Sequence, residues 1–418
     1  MVAAPEPNPP GPDGDAPGGW LVQLSGTDRP GITADLMTML DVLEVEVQDV
    51  EQVLVRGFLT LAVAISDPPA GTQALRDVLD RIAADHDLRI DLSPVPAGSG
   101  PRPSVDAVTV LGHGFQTPLS PAELAAIAGG IVASGGNVDR VVRLARYPVY
   151  AYEFRVTGAD PLALRQHLGA AASALRLDVA LQPAGLERRA KRLVVLDVDS
   201  TLIQDEVIEL LADEAGCLDE VRAVTDRAMA GELDFEAALR ERVRRLRGLD
   251  LDALDRARSR VRLTPGARTF VRTLKRLGFS VGIVSGGFTH FTDRLAEELD
   301  LDHAEANVLE VVDGHLTGEV LGAVVDRRRK AELLRAFADA DGIPVNQTVA
   351  VGDGANDLDM IAAAGLGVAF NARPVVQQAA DTTVNVPYLD AILFVLGVTR
   401  DEVEQADERD PTSVGHDD

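Results

Sequence analysis

LDVDSTLIQDE (Leu196–Glu206) follows the apolar run Leu193-Val194-Val195, so a segment entering a hydrophobic sheet ends abruptly on two carboxylates, Asp197 and Asp199. A short apolar run that stops at polar turn residues reads as a buried strand whose C-terminal end is available for chemistry. FSVGIVS, TVAVG, LGVAF and TTVNV are further short apolar strands separated by helical segments. That alternation is the pattern of a doubly wound, Rossmann-like, largely parallel α/β sheet, here spanning 191–398. From about 203 to 263 the strand signals vanish, and EVIELLADEAG, DEVRAVTDRAMA, DFEAALRERVRRL and DLDALDRARSR read as amphipathic helices, a helical cap inserted into the sheet domain.

Upstream, the Pro/Gly-rich segments PVPAGSGPRPS and QPAGLERRAK punctuate the chain as domain linkers. Each is preceded by a block of strand and helix signals in the order βαββαβ, at 19–94 and 105–183. Two α+β ferredoxin-like domains are expected there. Residues 1–18 lack a basic start and an apolar core and read as a disordered arm rather than a signal peptide. The acidic stretch 399–418 reads as a disordered tail.

Composition bounds the function. The chain has 418 residues with 40 Lys plus Arg against 66 Asp plus Glu, a formal net charge of −26. That field repels polyanions, so nucleic acid is not an expected partner. The longest apolar run near the C-terminus, LDAILFVLGV, is too short for a membrane span. The single cysteine, Cys217, excludes an intramolecular disulfide, suits a reducing compartment, and leads us to expect a cytoplasmic protein.

Four strand ends carry polar residues: Asp197 and Asp199; Ser285 with Gly286 and Gly287; Lys330 on a helix start; and GDGAND (Gly352–Asp357). Clustered carboxylates raise one another's pKa and call for a cation, and an all-oxygen ligand set points to Mg²⁺. No HExxH motif and no Cys pair is present, which argues against zinc.

These ordered motifs resemble those of the haloacid dehalogenase superfamily of phosphotransferases over essentially all of 192–398. DxDxT is matched by Asp197, Asp199 and Thr201, the Ser motif by Ser285, the Lys motif by Lys330, and the last acidic motif by Asp353 and Asp357. The resemblance implies that Asp197 is the nucleophile and Asp199 the acid/base group. Mg²⁺ would be held by Asp197, Asp353 and the Asp199 backbone carbonyl, with Asp357 in support, while Ser285 and Lys330 hold phosphoryl oxygens.

The cap and the nucleophile loop further resemble the phosphoserine-hydrolysing branch of that superfamily, which implies hydrolysis of O-phospho-L-serine as the last step of serine biosynthesis. Glu206, Arg242, Met229 and Phe235 match its substrate pocket, with Gly286 and Asn356 near the phosphate. Arg242 is one of five arginines between 240 and 247, and only the family register singles it out. A zwitterion with a phosphate suits these groups: Arg242 can fork onto the carboxylate and Glu206 can pair the ammonium. Rival readings are a phosphatase for phosphothreonine or phosphohomoserine, and a serine-sensing protein with a vestigial catalytic half.

GTDRPGIT (Gly26–Thr33) resembles the ligand loop of ACT domains, which implies free serine as an effector near Gly31 and a homodimer through paired ACT sheets. Pro30 and Gly31 serve equally well simply to shape a turn. The second block has LGHGFQTPLSP at that place, a departure from the pattern.

Overall fold

The computed structural model describes residues 19–96 and 106–410. Two compact units divide near residue 102. The first is one ferredoxin-like domain: β1 (Trp20–Thr27), α1 (Ile32–Val42), β2 (Val47–Val55), β3 (Phe58–Ile65), α2 (Thr72–His86) and β4 (Arg89–Pro94), with antiparallel order β2-β3-β1-β4. Alternation along β3 sends Leu59, Leu61, Val63 and Ile65 to the helix-covered face, where they meet Leu36, Leu40 and Leu79. Gly31 caps α1 at φ 102, a left-handed conformation that L side chains rarely adopt.

The second unit opens with the same order: β5 (Asp106–Phe115), α3 (Pro121–Ala133), β6 (Asn137–Ala145), β7 (Val149–Thr157), α4 (Pro161–Leu175) and β8 (Asp178–Pro183), paired as β6-β7-β5-β8. Ser120 and Glu123 form a capping box that starts α3, with Pro121 in its first turn.

A short α5 (Leu186–Arg189) leads to β9 (Leu193–Leu196). The cap follows as α6 (Val207–Glu214), α7 (Leu218–Met229), α8 (Phe235–Arg245) and α9 (Leu251–Ser259). The sheet domain then continues with α10 (Ala267–Arg276), β10 (Ser280–Phe288), α11 (Thr289–Leu299), β11 (His303–Val312), β12 (His315–Leu321), α12 (Arg327–Ala340), β13 (Thr348–Gly352), α13 (Leu358–Ala363), β14 (Gly367–Phe370), α14 (Pro374–Ala379), β15 (Thr382–Val384), α15 (Ile392–Val395) and α16 (Arg400–Arg409).

The seven-stranded order is β12-β11-β10-β9-β13-β14-β15, parallel except for β12. After β9 the chain builds one side of the sheet, then returns to build the other, so β9 is the switch point, and its C-terminal end opens into a crevice between β10 and β13. All four residues of β9 are buried, which explains its unbroken apolar run.

Two expectations are corrected. The hairpin β11–β12 lies where no strands were expected, because its alternation is diluted by polar residues such as His303, Glu305 and Glu319. The stretch from 399 is not disordered throughout: a Thr399–Glu402 capping box starts α16, and Arg272 and Arg276 bind its Asp407. Residues 411–418, like the arm 1–18, lie outside the described residues.

The second Pro/Gly segment lies between two domains, as expected of a linker, and is a joint packed on both sides. Arg188 donates to Glu153 at 2.5 Å and to the Val395 carbonyl at 3.0 Å, and Gln182 donates to the same carbonyl at 2.8 Å. Asp178, 1% exposed, accepts from the Asn385 backbone N–H at 2.6 Å and from its side-chain amide at 2.7 Å. One hydrophobic cluster runs across this joint, from Leu144, Ala151 and Ala180 to Val386, Leu389 and Ile392.

Candidate active site

The crevice is built on the turn after β9. The Asp197 backbone N–H donates to the Val351 carbonyl of β13 at 2.9 Å, which fixes the first carboxylate at the sheet's edge. Val198–Leu202 then make one wide helical turn in which Ser200 takes φ 58, and this sharp reversal turns Asp199 back toward β10. The Asp199 carboxylate accepts from Val207 N–H at 2.7 Å, at the start of α6, and from Ser285 Oγ at 3.1 Å. Gly287 donates its N–H to Ser285 Oγ at 2.7 Å, and a Cβ there would lie 3.2 Å from Asp199 Oδ2. Only glycine lets the β10 turn approach this closely.

Lys330 is fully buried, with Nζ 2.6 Å from Asp197 Oδ1 and 2.7 Å from Asp357 Oδ1. Burial alone would lower its pKa, but the two carboxylates outweigh that and hold it above the ordinary lysine value. Asp357 also accepts from Gly354 N–H at 3.0 Å. Thr201, buried, donates to Asp353 Oδ1 at 3.4 Å.

One ammonium does not neutralise the carboxylates around it. Burial first, then the charge of Asp357, push Asp197 well above the carboxylate range and Asp353 up to about 6. Asp199 is also raised, by burial against the opposing bonds from Val207 and Ser285.

Oxygens of Asp197, Asp353 and Asp357 lie within 4.8 Å of one another, the one such metal-capable group among the described residues. Hard oxygen donors with an uncompensated negative charge fit a hard divalent cation.

A cavity of about 570 Å³ opens above these groups. Asp197, Asp199, Asp353, Gly286 and Asn356 form its sheet side, and Glu206, Met229, Phe235 and Arg242 come from the cap and the segment leading into it. Ser285, Lys330, Asp357 and Thr201 stand behind the lining, touching it through the bonds given above. Glu206 accepts from Ser200 Oγ at 2.8 Å and is raised to about 7 by desolvation and then by Asp199. Burial lowers the pKa of Arg242, whose Nε donates to the Ala238 carbonyl at 3.3 Å. Its guanidinium has no carboxylate in ion-pair contact among the described residues. Gly31 belongs to the first compact unit.

Sequence reasoning did not single out two charged lining residues, Arg327 and Arg373. Each sits at a helix start, where basic side chains are common on exposed surfaces, and no local pattern marks them.

The fold and the site together define a haloacid dehalogenase-like hydrolase: residues 194–362 match the model of that family, and residues 20–93 and 104–182 match ACT domain models. The chain is 56% identical to a phosphoserine phosphatase of Streptomyces coelicolor, covering 93% of this chain and 94% of that one. It is 47% identical to a phosphoserine phosphatase of Mycobacterium tuberculosis, with 93% and 96% covered. The solved structure of a probable phosphoserine phosphatase from Vibrio cholerae superposes with a TM-score of 0.57 at 37% identity, covering 72% of this chain and 88% of that chain. This chain belongs to the phosphoserine phosphatase family. Among the described residues no helix is long and apolar enough to cross a membrane.

Proposed function

We propose that the protein hydrolyses O-phospho-L-serine to L-serine and phosphate, the last step of serine biosynthesis, in the cytoplasm. The observation that carries this reading is the pairing of chemistries across one cavity: Asp197 and Asp199 on the sheet side, Arg242 and Glu206 on the cap side. The phosphate meets the former, and the carboxylate and ammonium of the amino acid meet the latter.

Asp197 attacks phosphorus as the P–O bond to serine breaks, giving an aspartyl-phosphate. Asp199, protonated at the start, gives its proton to the leaving serine oxygen. It then takes a proton from the water that attacks phosphorus and releases inorganic phosphate, regenerating Asp197. Ser285 and Lys330 donate to the phosphoryl oxygens, which takes up charge as it develops. Asp197, Asp353 and the Asp199 backbone carbonyl, supported by Asp357, would hold Mg²⁺, which supplies positive charge that lowers the repulsion between nucleophile and phosphate. Phe235 and Met229 wall off water, and Asn356 offers an amide beside the phosphate.

A phosphate-release panel of phosphoserine, phosphothreonine and phosphohomoserine, with and without Mg²⁺, tests this. Phosphoserine is expected to lead in kcat/KM, and Asp197→Asn to abolish release. A preference for another ester would replace the substrate, and no release from any would leave a sensing role.

The ACT domains extend the proposal to a homodimer regulated by serine at the loop containing Gly31. Every residue of β2 is exposed, including Val50, Val53, Leu54 and Val55, so the first sheet presents an apolar edge suited to pairing with a second copy. Light scattering with and without millimolar serine tests both, and an invariant mass and activity would refute the regulation.

A further inference from the structure

The cavity mouth carries two arginines outside the family motifs, and they differ in one respect. Arg327 is paired with Asp359 at 2.5 Å. Arg373 has no carboxylate in ion-pair contact among the described residues; its Nη2 lies 3.8 Å from Met229 Sδ, at the end of cap helix α7. The guanidinium therefore reaches from the sheet-domain side of the lining to its cap side.

Its backbone is anchored. Arg373 N–H donates to the Asp353 carbonyl at 3.2 Å, and Gln377 ties the Ala372 carbonyl (2.7 Å) to the Asn385 side chain (2.9 Å), which is held in turn by the buried Asp178. A fixed base and an exposed, unneutralised tip make a charge with a defined position.

The substrate needs such a charge. Phosphoserine at neutral pH carries a net charge of about −2, since its ammonium cancels its carboxylate. It approaches a chain of formal net charge −26, toward a cavity whose lining sets Asp197, Asp199, Glu206 and Asp353 beside Arg242, Arg327 and Arg373. The field of a strongly acidic chain depletes anions near its surface, and an exposed positive residue beside the cavity reverses the effect locally.

We infer that Arg373 is the substrate-capture residue of this cavity: an unpaired guanidinium spanning the gap between cap and sheet domain that draws the anionic phosphomonoester in and favours esters of higher negative charge. The inference rests on the phosphatase reading above. Because Met229 is the neighbour it touches, the alternative is a packing role in holding the cap.

The test compares the parent, Arg373→Gln, Arg373→Lys and Arg328→Gln, with kcat and KM for O-phosphoserine and phosphoethanolamine from about 20 mM to about 500 mM salt. Phosphoethanolamine, which keeps the ammonium but lacks the carboxylate, carries about one negative charge fewer. Arg328 is an exposed α12 arginine outside the cavity, paired with Glu332, and serves as the charge-matched control. If the parent releases no phosphate from phosphoserine, the phosphatase reading fails and not this inference alone. With an active parent, Arg373→Gln is expected to lower kcat/KM for phosphoserine roughly three- to tenfold at low salt, carried by KM. The gap should close at high salt, Arg373→Lys should recover most of the loss, and the loss for phosphoethanolamine should be smaller. Arg328→Gln should track the parent. A salt-independent loss shared by Arg373→Lys would assign packing against Met229 instead, and Arg373→Gln matching either the parent or Arg328→Gln at low salt would overturn the inference.

Discussion

Replacing Lys330 by methionine removes one positive charge from between two carboxylates that are themselves out of water. Nζ lies 2.6 Å from Asp197 and 2.7 Å from Asp357, and Lys330 and Asp357 are both 0% exposed. At an effective dielectric of about 20, each contact corresponds to about 6 kcal/mol of Coulomb attraction, most of it offset by desolvating the charges. Deleting one partner of such a buried set leaves a net loss of about 3–5 kcal/mol. At roughly 2–4 °C per kcal/mol, Lys330→Met should melt about 10 °C below the parent without divalent cation. Mg²⁺ should raise the melting temperature more in the variant than in the parent, because it meets one more uncompensated charge. Adding Asp357→Asn to Lys330→Met restores the parent's net charge at this point and should recover most of the loss. Phosphate release should stay low in both, by about 10²–10³-fold, since a donor to the phosphoryl group is gone. A single variant melting within about 2 °C of the parent, or a double variant no more stable than the single, would refute the electrostatic account.

Glu206, raised to about 7, should give KM for phosphoserine a rise as pH falls below neutrality, since the protonated carboxyl cannot pair an ammonium; Glu206→Gln should remove that rise in a pH series of initial rates. The stability sign is opposite: the folded state holds this proton more tightly than the unfolded chain, so ionising Glu206 costs stability between its ordinary 4.5 and about 7, and melts of Glu206→Gln should show a flatter decline there. Arg242→Lys keeps the charge but loses the fork, and kcat/KM for phosphoserine should fall about tenfold, against about 100-fold for Arg242→Ala, in steady-state assays. Asp178→Ala strands the Asn385 N–H and amide donors inside the second unit, a loss of about 1–3 kcal/mol readable as a lower melting temperature.

The sheet motifs were legible because the chemistry sits on the turns that end buried strands, where a switch from apolar to acidic residues is visible in the letters. Asp197, Ser285 and Gly352–Asp357 all have this form. The β11–β12 hairpin escaped because half of its alternating positions face solvent, although Asp313-Gly314, both at positive φ, is a two-residue hairpin signal. Helix α16 escaped because its composition is acidic, yet Thr399 and Glu402 spell a capping box. Arg373 had no such signature. Its position depends on how α14 is moored to Asn385 and Asp178, residues that only the folded chain brings together.

The joint around Asp178, Glu153 and Arg188 also bears on how this chain can be divided. Trimming it to a stand-alone catalytic fragment at 184–190 would sever Arg188 from Glu153 and Asp178 from Asn385, and bare the apolar faces of Val386 and Ile392 to water. A fragment starting near residue 103 keeps those partners in place. For expression or crystallisation, the productive cut lies one domain earlier than the boundary of the catalytic motifs suggests.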